Sequence, residues 1–296
     1  MYDKTVFHVP GAYPLPARAV PFGEGSGPLK AKLDNLDLIQ SPHGFIVRGS
    51  LAKFYLGNNV EEFTFPMVGP CLDKLEAKLG FSIREGQVWE LEIAQTLVMR
   101  QPTSQYLTLL GDVPRFKKTT FPNGLTVLYH NRRRSFQFYD KAAEVGLKGL
   151  PEQFRGLHLL RAEYKLKNHL SEILGHPLTV ARLTDPKQYS FFLREWEAFA
   201  LRIPKSRIPR PYFGGGLKEM KQSLASVCLA SVGGPAALLA DLAGRTDIST
   251  TKKSKMKAAI LALTVDPDWT EPASLTQELE DKLREAVRSS IDKPIS

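Results

Sequence analysis

Residues Val88 to Val98 alternate well between two kinds of side chain. Trp89, Leu91, Ile93 and Leu97 fall on one face, and Glu90, Glu92, Ala94 and Thr96 on the other. A period of two is that of a strand, not of a helix. A strand with one greasy face and one acidic face is covered on one side only. That points to a mainly antiparallel sheet with helices on one face and an open second face.

Other segments extend the pattern. Asn123-Gly124 is a hairpin signal, entered by Thr119 to Phe121 and left by Leu125 to Tyr129. Ser135 to Tyr139 follows as a third strand of an antiparallel meander. Gly44 to Leu56 reads as one strand, interrupted at Gly49 and closed by a turn at Gly57-Asn58-Asn59. Helical spacing marks Cys71 to Leu79, through Leu72, Leu75 and Leu79. It also marks Tyr189 to Ile203, through Phe192, Leu193, Trp196 and Phe199. His158 to Asn168 fits a strand or the start of a helix. Residues 1 to about 40, rich in Pro and Gly between Pro10 and Pro28, read as an irregular or edge element. Pro204, Pro209, Pro211 and Gly214-Gly215-Gly216 mark a linker at 206–216. The expected organisation is therefore α+β: a sheet domain over 1–205 and a smaller helical domain over 217–296. No fixed-period repeat is visible.

A net charge of +9 and a pI of about 9.4 favour polyanionic partners, nucleic acid first. Two distant cysteines, Cys71 and Cys228, exclude a disulfide framework or a Cys-rich zinc site. The triple glycine lacks the Gly-Lys-Ser/Thr ending of a phosphate loop. No apolar run is long enough for a bilayer span, and the N-terminus lacks the apolar core of a signal peptide. The expectation is a cytoplasmic protein with no membrane partner.

The stretch most suggestive of chemistry is Phe136 to Glu144, after Arg132, Arg133 and Arg134. On a strand, Gln137, Tyr139 and Lys141 share a face. Attack on a phosphodiester needs a lowered phenol pKa, neutralised phosphate charge and alignment. Lys141 beside Tyr139 would favour phenolate. Glu92 and Glu144 are oxygen ligands suited to Mg²⁺ or Mn²⁺. The three arginines suit phosphate positioning. Plainer readings stand beside these: Tyr139 as an ordinary strand tyrosine, Glu144 and Glu163 as surface partners of Lys141 or Lys165, and Tyr129, next to His130, as a rival nucleophile. Lys252, Lys253, Lys255 and Lys257 fit DNA contact or simple solubility.

Four blocks, taken in order, resemble the gene II/gene X replication initiators of filamentous phages and related rolling-circle initiators of small plasmids. They are Gly49-Ser50-Leu51-Ala52-Lys53 with Gly57-Asn58-Asn59; Glu92-Ile93-Ala94; Phe138-Tyr139-Asp140-Lys141-Ala142-Ala143-Glu144; and Leu160-Arg161-Ala162-Glu163-Tyr164-Lys165-Leu166-Lys167. The resemblance covers about residues 40 to 180. It implies a nickase-like fold and a metal-dependent, site-specific DNA endonuclease and strand transferase. Such an enzyme starts rolling-circle replication in a bacterial host cell, leaving a 5′-phosphotyrosine and a 3′ hydroxyl primer. By that resemblance Tyr139 is the nucleophile and Lys141 its partner, with Glu92, Glu144 and Glu163 on the metal. Lys53, Asn58 and Arg132 to Arg134 would meet the DNA. Double-stranded origin DNA, single-stranded DNA, a host helicase and a polymerase are the implied partners. The chain departs from the family in having Asn58 where histidine is common, and in lacking a His-hydrophobe-His triplet. The competing function is a non-enzymatic DNA-binding replication or repressor protein.

Overall fold

The computed structural model describes residues 2–22, 27–167, 170–209, 216–231, 234–262, 270–272 and 274–292. Its chain divides into two units: Met1–Pro204 with Glu278–Ser296, and Lys205–Gln277.

The first unit is built on one ten-stranded sheet. Its strands are β1 (Tyr2–Val9), β2 (Val20–Pro21), β3 (Leu29–Leu33), β4 (Leu36–Ser41), β5 (Gly44–Ser50), β6 (Gln87–Met99), β7 (Lys117–Thr120), β8 (Thr126–His130), β9 (Arg134–Asp140) and β10 (His158–Lys167). Their order across the sheet is β2-β3-β4-β5-β1-β6-β10-β9-β8-β7, and every pairing is antiparallel. The helices of this unit are α1 (Leu51–Leu56), α2 (Val68–Leu79), α3 (Thr103–Leu107), α4 (Lys141–Gly149), α5 (Leu170–Leu174) and α6 (Pro186–Arg202). In the second unit lie α7 (Leu217–Ser231), α8 (Gly234–Gly244), α9 (Thr250–Ala262) and the strand pair β11 (Arg207–Pro209) and β12 (Thr270–Pro272). The last helix, α10 (Ser274–Asp292), ends in the first unit.

The sheet repeats one connectivity twice. In each half a first strand is followed by a four-strand meander whose last strand returns beside the first. A short and then a longer helix follow: β1 to β5 with α1 and α2, and β6 to β10 with α5 and α6. The two first strands, β1 and β6, pair antiparallel at the centre. No sequence period betrays this, because cores of the same shape accept many apolar combinations.

Three expectations need correction. The N-terminal segment is not an edge: β1 is central, between β5 and β6. Its pattern was hidden because Asp3 is buried among apolar residues, where Arg161 compensates its charge. The strand expected over Gly44 to Leu56 stops at Ser50, whose hydroxyl accepts from the Lys53 amide and starts α1. That helix ends at Gly57 in the left-handed conformation, φ 84°. Finally, the expected domain over 217–296 is shared between the units, since α10 returns to the sheet. Part of the expected linker, 210–215, lies outside the described residues; Arg207–Pro209 before it is the strand β11.

One face of the sheet packs on α6. Phe136 stacks on Phe199 at 5.0 Å, Tyr2 meets Tyr189 edge-on at 5.4 Å, and the Trp196 indole donates to the Ala162 carbonyl at 3.1 Å. Trp196 is fully buried, so Trp196→Ala is expected to cost about 3–5 kcal/mol. Asp185 caps α6 ahead of Pro186 at its first position. α10 adds Glu278, which accepts from the Arg100 amide at 2.8 Å and the Tyr106 hydroxyl at 2.6 Å. No helix among the described residues is long and apolar enough to cross a membrane.

Candidate active site

The other face of the sheet carries a cleft of about 670 Å³ lined by Asp3, Lys4, Lys32, Arg48, Ser50, Lys53, Asn59, Glu92, Gln137, Tyr139, Glu144 and Glu163, among others. A second hollow of about 290 Å³ shares Glu92, Gln137 and Glu163 with it and runs on to His130, Lys165 and Lys167. Together they form a groove with carboxylates at its floor and cations toward both ends.

Alternation along β9 builds one wall. Phe136 and Phe138 enter the core, so Gln137 and Tyr139 must face the groove. The strand then becomes α4 within one residue. The Asp140 carboxylate accepts from the Ala143 amide at 2.7 Å as the helix cap, and its other oxygen accepts from the Thr103 hydroxyl at 2.6 Å. This junction sets Tyr139 as the penultimate strand residue and Lys141 as the first helical one.

The Tyr139 hydroxyl donates to Glu163 Oε1 at 2.7 Å. Gln137 donates to Glu163 Oε2 at 2.6 Å. Lys141 is fully buried, donates to Asn59 Oδ1 at 3.0 Å and to Glu144 at 2.7 Å, and sits 5.7 Å from the Tyr139 ring centre. Asn59 in turn donates to Asp3 at 3.2 Å. Arg161, also fully buried, binds Asp3 through Nη2, Glu163 through Nε at 3.3 Å, and Thr96 and the Asn59 carbonyl through Nη1 at 2.9 and 3.1 Å. The Ser50 hydroxyl donates to Asp3 as well.

Asp3, Glu92 and Glu163 each bring one carboxylate oxygen to within 4.8 Å of the others. Their environments differ. Burial alone would raise the Asp3 pKa, but the Arg161 charge and the donors from Ser50 and Asn59 outweigh it and hold it below the usual carboxylate range. Glu92 goes the other way: burial and the negative charges of Glu163 and Asp3 push it well above that range. It meets no hydrogen-bond donor among the described residues. Arg161 and Lys165 pull it back only in part, so a carboxylate facing a cleft and beside two others is left where a metal ion could be held. The donor set offered is all oxygen.

The structure brings Tyr139, Glu92, Glu163 and Lys53 to this groove, places Lys141 buried behind it against Asn59 and Glu144, and rearranges other expectations. Glu144 is not in the carboxylate cluster. It is exposed and paired with Lys141, and Asp3 takes the third corner. Asn58 caps a turn, accepting from the Val60 and Glu61 amides, so the neighbouring Asn59 enters the site instead. The arginines sit at the far end of β9, about 20 Å from Tyr139 at strand spacing. There Arg133 pairs with Glu172 at 3.2 Å, while Arg134 meets the Tyr164 hydroxyl at 3.1 Å and Glu195 at 3.8 Å on the covered side. Tyr129 is fully buried on that side and donates to the Gly111 carbonyl at 2.7 Å, which removes it as a rival nucleophile. The expected lowering of the Tyr139 pKa is also reversed. Burial and the adjacent Glu163 charge push the phenol up, while the Lys141 ammonium is engaged by Glu144 and Asn59.

Asp3, Asn59 and Arg161 were missed as site residues. Arg161 stood in a quoted block without a role. Asp3 gave no local signal, because its partners lie on β10, at the end of β5 and after α1. No family model matches the chain, and no curated protein matches its sequence.

Proposed function

We propose that the protein is a metal-dependent DNA endonuclease and strand transferase that nicks one strand at a replication origin, using Tyr139 as nucleophile. The observation that carries this reading is the Tyr139–Glu163 hydrogen bond at the edge of the Asp3–Glu92–Glu163 cluster, in a groove open to a strand and flanked by Lys4, Arg48, Lys53 and Lys167. Tyr139 is largely buried, 8% exposed, but its remaining surface lines the cleft, whereas Tyr129 is fully buried on the other face.

In the proposed reaction the Tyr139 oxygen attacks phosphorus and its proton passes to Glu163 Oε1. The phosphorus–O3′ bond breaks, the 3′ oxygen takes a proton from water, and the 5′ phosphate stays on the tyrosine. Lys141 faces the ring and offsets charge as the phenolate develops. Arg161 keeps Glu163 and Asp3 aimed at the same point. A divalent ion held by the three carboxylates would polarise the phosphate and offset the negative charge that keeps the phenol protonated. To reach Tyr139 the scissile strand would have to be unpaired, so the origin would have to expose it.

The test is a single-stranded origin oligonucleotide incubated with the protein and Mn²⁺. An SDS-resistant adduct should form with the parent and vanish in Tyr139→Phe, while salt-sensitive binding persists in both. Binding without any adduct in the parent would leave the repressor reading standing in place of the enzyme.

A further inference from the structure

The groove face carries an aromatic pair that the proposed chemistry does not use. Trp89 is 41% exposed, and its ring stacks on His8 at 4.8 Å and 13°. Simple alternation along β6 would put Trp89 on the covered face with Leu91. It is on the other face because the β1–β6 register slips between Val6 opposite Glu90 and Phe7 opposite Val88. The pairing of β1 with β5 is unbroken from Lys4 to Val9, so His8 shares a face with Val6 and Lys4. That is the groove face, since Lys4 lines it and Arg48, the partner of Val6, does too. A bulge that re-aims one side chain is a recurrent device beside functional sites.

The support under the pair is built. His8 lies against Gly44, where an added Cβ would fall 2.0 Å from His8 Nε2 and 2.8 Å from the Val9 carbonyl oxygen. Only glycine lets that ring lie there. Trp89 also walls a hollow of about 310 Å³ with Val88, Leu170, Pro177 and Leu178. Cations flank the position: Arg48 on β5, and Lys167 on β10, which stands opposite Glu90 of β6 in the strand register. Three residues along β6 separate Trp89 from Glu92, roughly 10 Å.

We propose that Trp89, backed by His8, is a stacking subsite for one unpaired nucleobase of the DNA strand that passes the carboxylate cluster. The inference rests on the nucleic-acid reading above and adds where the strand is gripped. A flat, solvent-facing indole next to phosphate-binding cations is the combination that holds single strands irrespective of sequence.

The test uses the full chain in the Tyr139→Phe background, so that no covalent adduct forms. That protein and its Trp89→Phe and Trp89→Ala derivatives are titrated with a labelled oligodeoxythymidylate, with the same oligomer made abasic, and with thymidine monophosphate. Protein with Trp89 should bind the base-bearing oligomer roughly ten-fold tighter than the abasic one. Trp89→Phe should keep most of that ratio and Trp89→Ala should lose it, at an unchanged melting temperature. Retention of the ratio by Trp89→Ala overturns the subsite alone, even where the parent forms its adduct. Monophosphate binding as tight as the oligomer's would assign the hollow to a free nucleotide and overturn the strand assignment. A protein that binds no oligomer sinks this inference and the nucleic-acid reading together.

Discussion

The Arg161 guanidinium is ion-paired with the Asp3 carboxylate, a residue 158 positions away. Both are buried, and the same guanidinium also reaches Glu163. Arg161 is thus a fully buried cation shared by two of the three carboxylates of the cluster. A buried charge stripped of its partner costs far more than the pair contributes.

Arg161→Met should therefore lower stability by about 3–5 kcal/mol in urea unfolding. Arg161→Lys should recover little, since an ammonium cannot span Asp3, Glu163 and Thr96 at once. Mn²⁺ should narrow the deficit by supplying the missing positive charge. Equal urea midpoints for the parent and Arg161→Met would show that the carboxylates do not depend on this residue.

The two ends of the carboxylate cluster predict opposite responses to pH. Glu92 has a raised pKa when folded, so the folded protein holds a proton that the unfolded chain releases above about pH 4.3. Metal-free stability should fall as pH climbs from there through the folded Glu92 value. Asp3 has a lowered pKa, so its contribution is present above its unfolded value and lost as pH falls through the folded one. Melting temperatures between pH 5 and 8, with and without Mn²⁺, measure this. Glu92→Gln should flatten the neutral-side decline, and the Mn²⁺ stabilisation of the parent should grow with pH. A Mn²⁺ effect that survives intact in Glu92→Gln and Asp3→Asn would place the ion elsewhere.

Lys141 has a lowered pKa, chiefly from burial, and the exposed Glu144 carboxylate pulls it back up. Glu144→Gln removes that pull. The alkaline limb of the adduct-formation profile should then move to lower pH, with the acid limb in place. If both limbs stay where they are, the Lys141 ammonium does not limit the reaction.

Tyr129→Phe removes one hydrogen bond to the Gly111 carbonyl and no group at the groove. It should cost about 1 kcal/mol of stability and leave adduct formation at the parent rate. Loss of the adduct in this variant, with Tyr139→Phe still active, would exchange the roles of the two tyrosines.

What was legible in the chain followed local rules. The hairpin at Asn123-Gly124 appears as β7 and β8, with the Gly124 amide bonded to the Phe121 carbonyl. The alternation after Val88 is β6, His158 to Lys167 is the strand β10, and Tyr189 to Ile203 falls within α6 apart from its last residue. Tyr139, Lys141, Glu92 and Glu163 were readable because each stands in a short patterned block. What stayed hidden was non-local. Asp3 looked like a break in an apolar segment, since nothing nearby announces the arginine that neutralises it. Trp89 was placed on the wrong face because a bulge depends on how two strands pair, not on either alone. Asn58 was next in sequence to the residue that enters the site, and the turn it caps after α1 decided which of the two turned inward; the corner expected of Glu144 went to Asp3, far away in the chain.

The second unit is an insert, not a tail. Its chain departs after Pro204, and the sheet-bearing unit resumes at Glu278. A protein shortened at Pro204 would leave the Arg100 amide and Tyr106 hydroxyl without the carboxylate they share, and Gln95 without Ser290. Any piece prepared by itself has to keep 278–296 together with 1–204, and a plain C-terminal deletion would be mistaken for evidence that the removed helices take part in the chemistry.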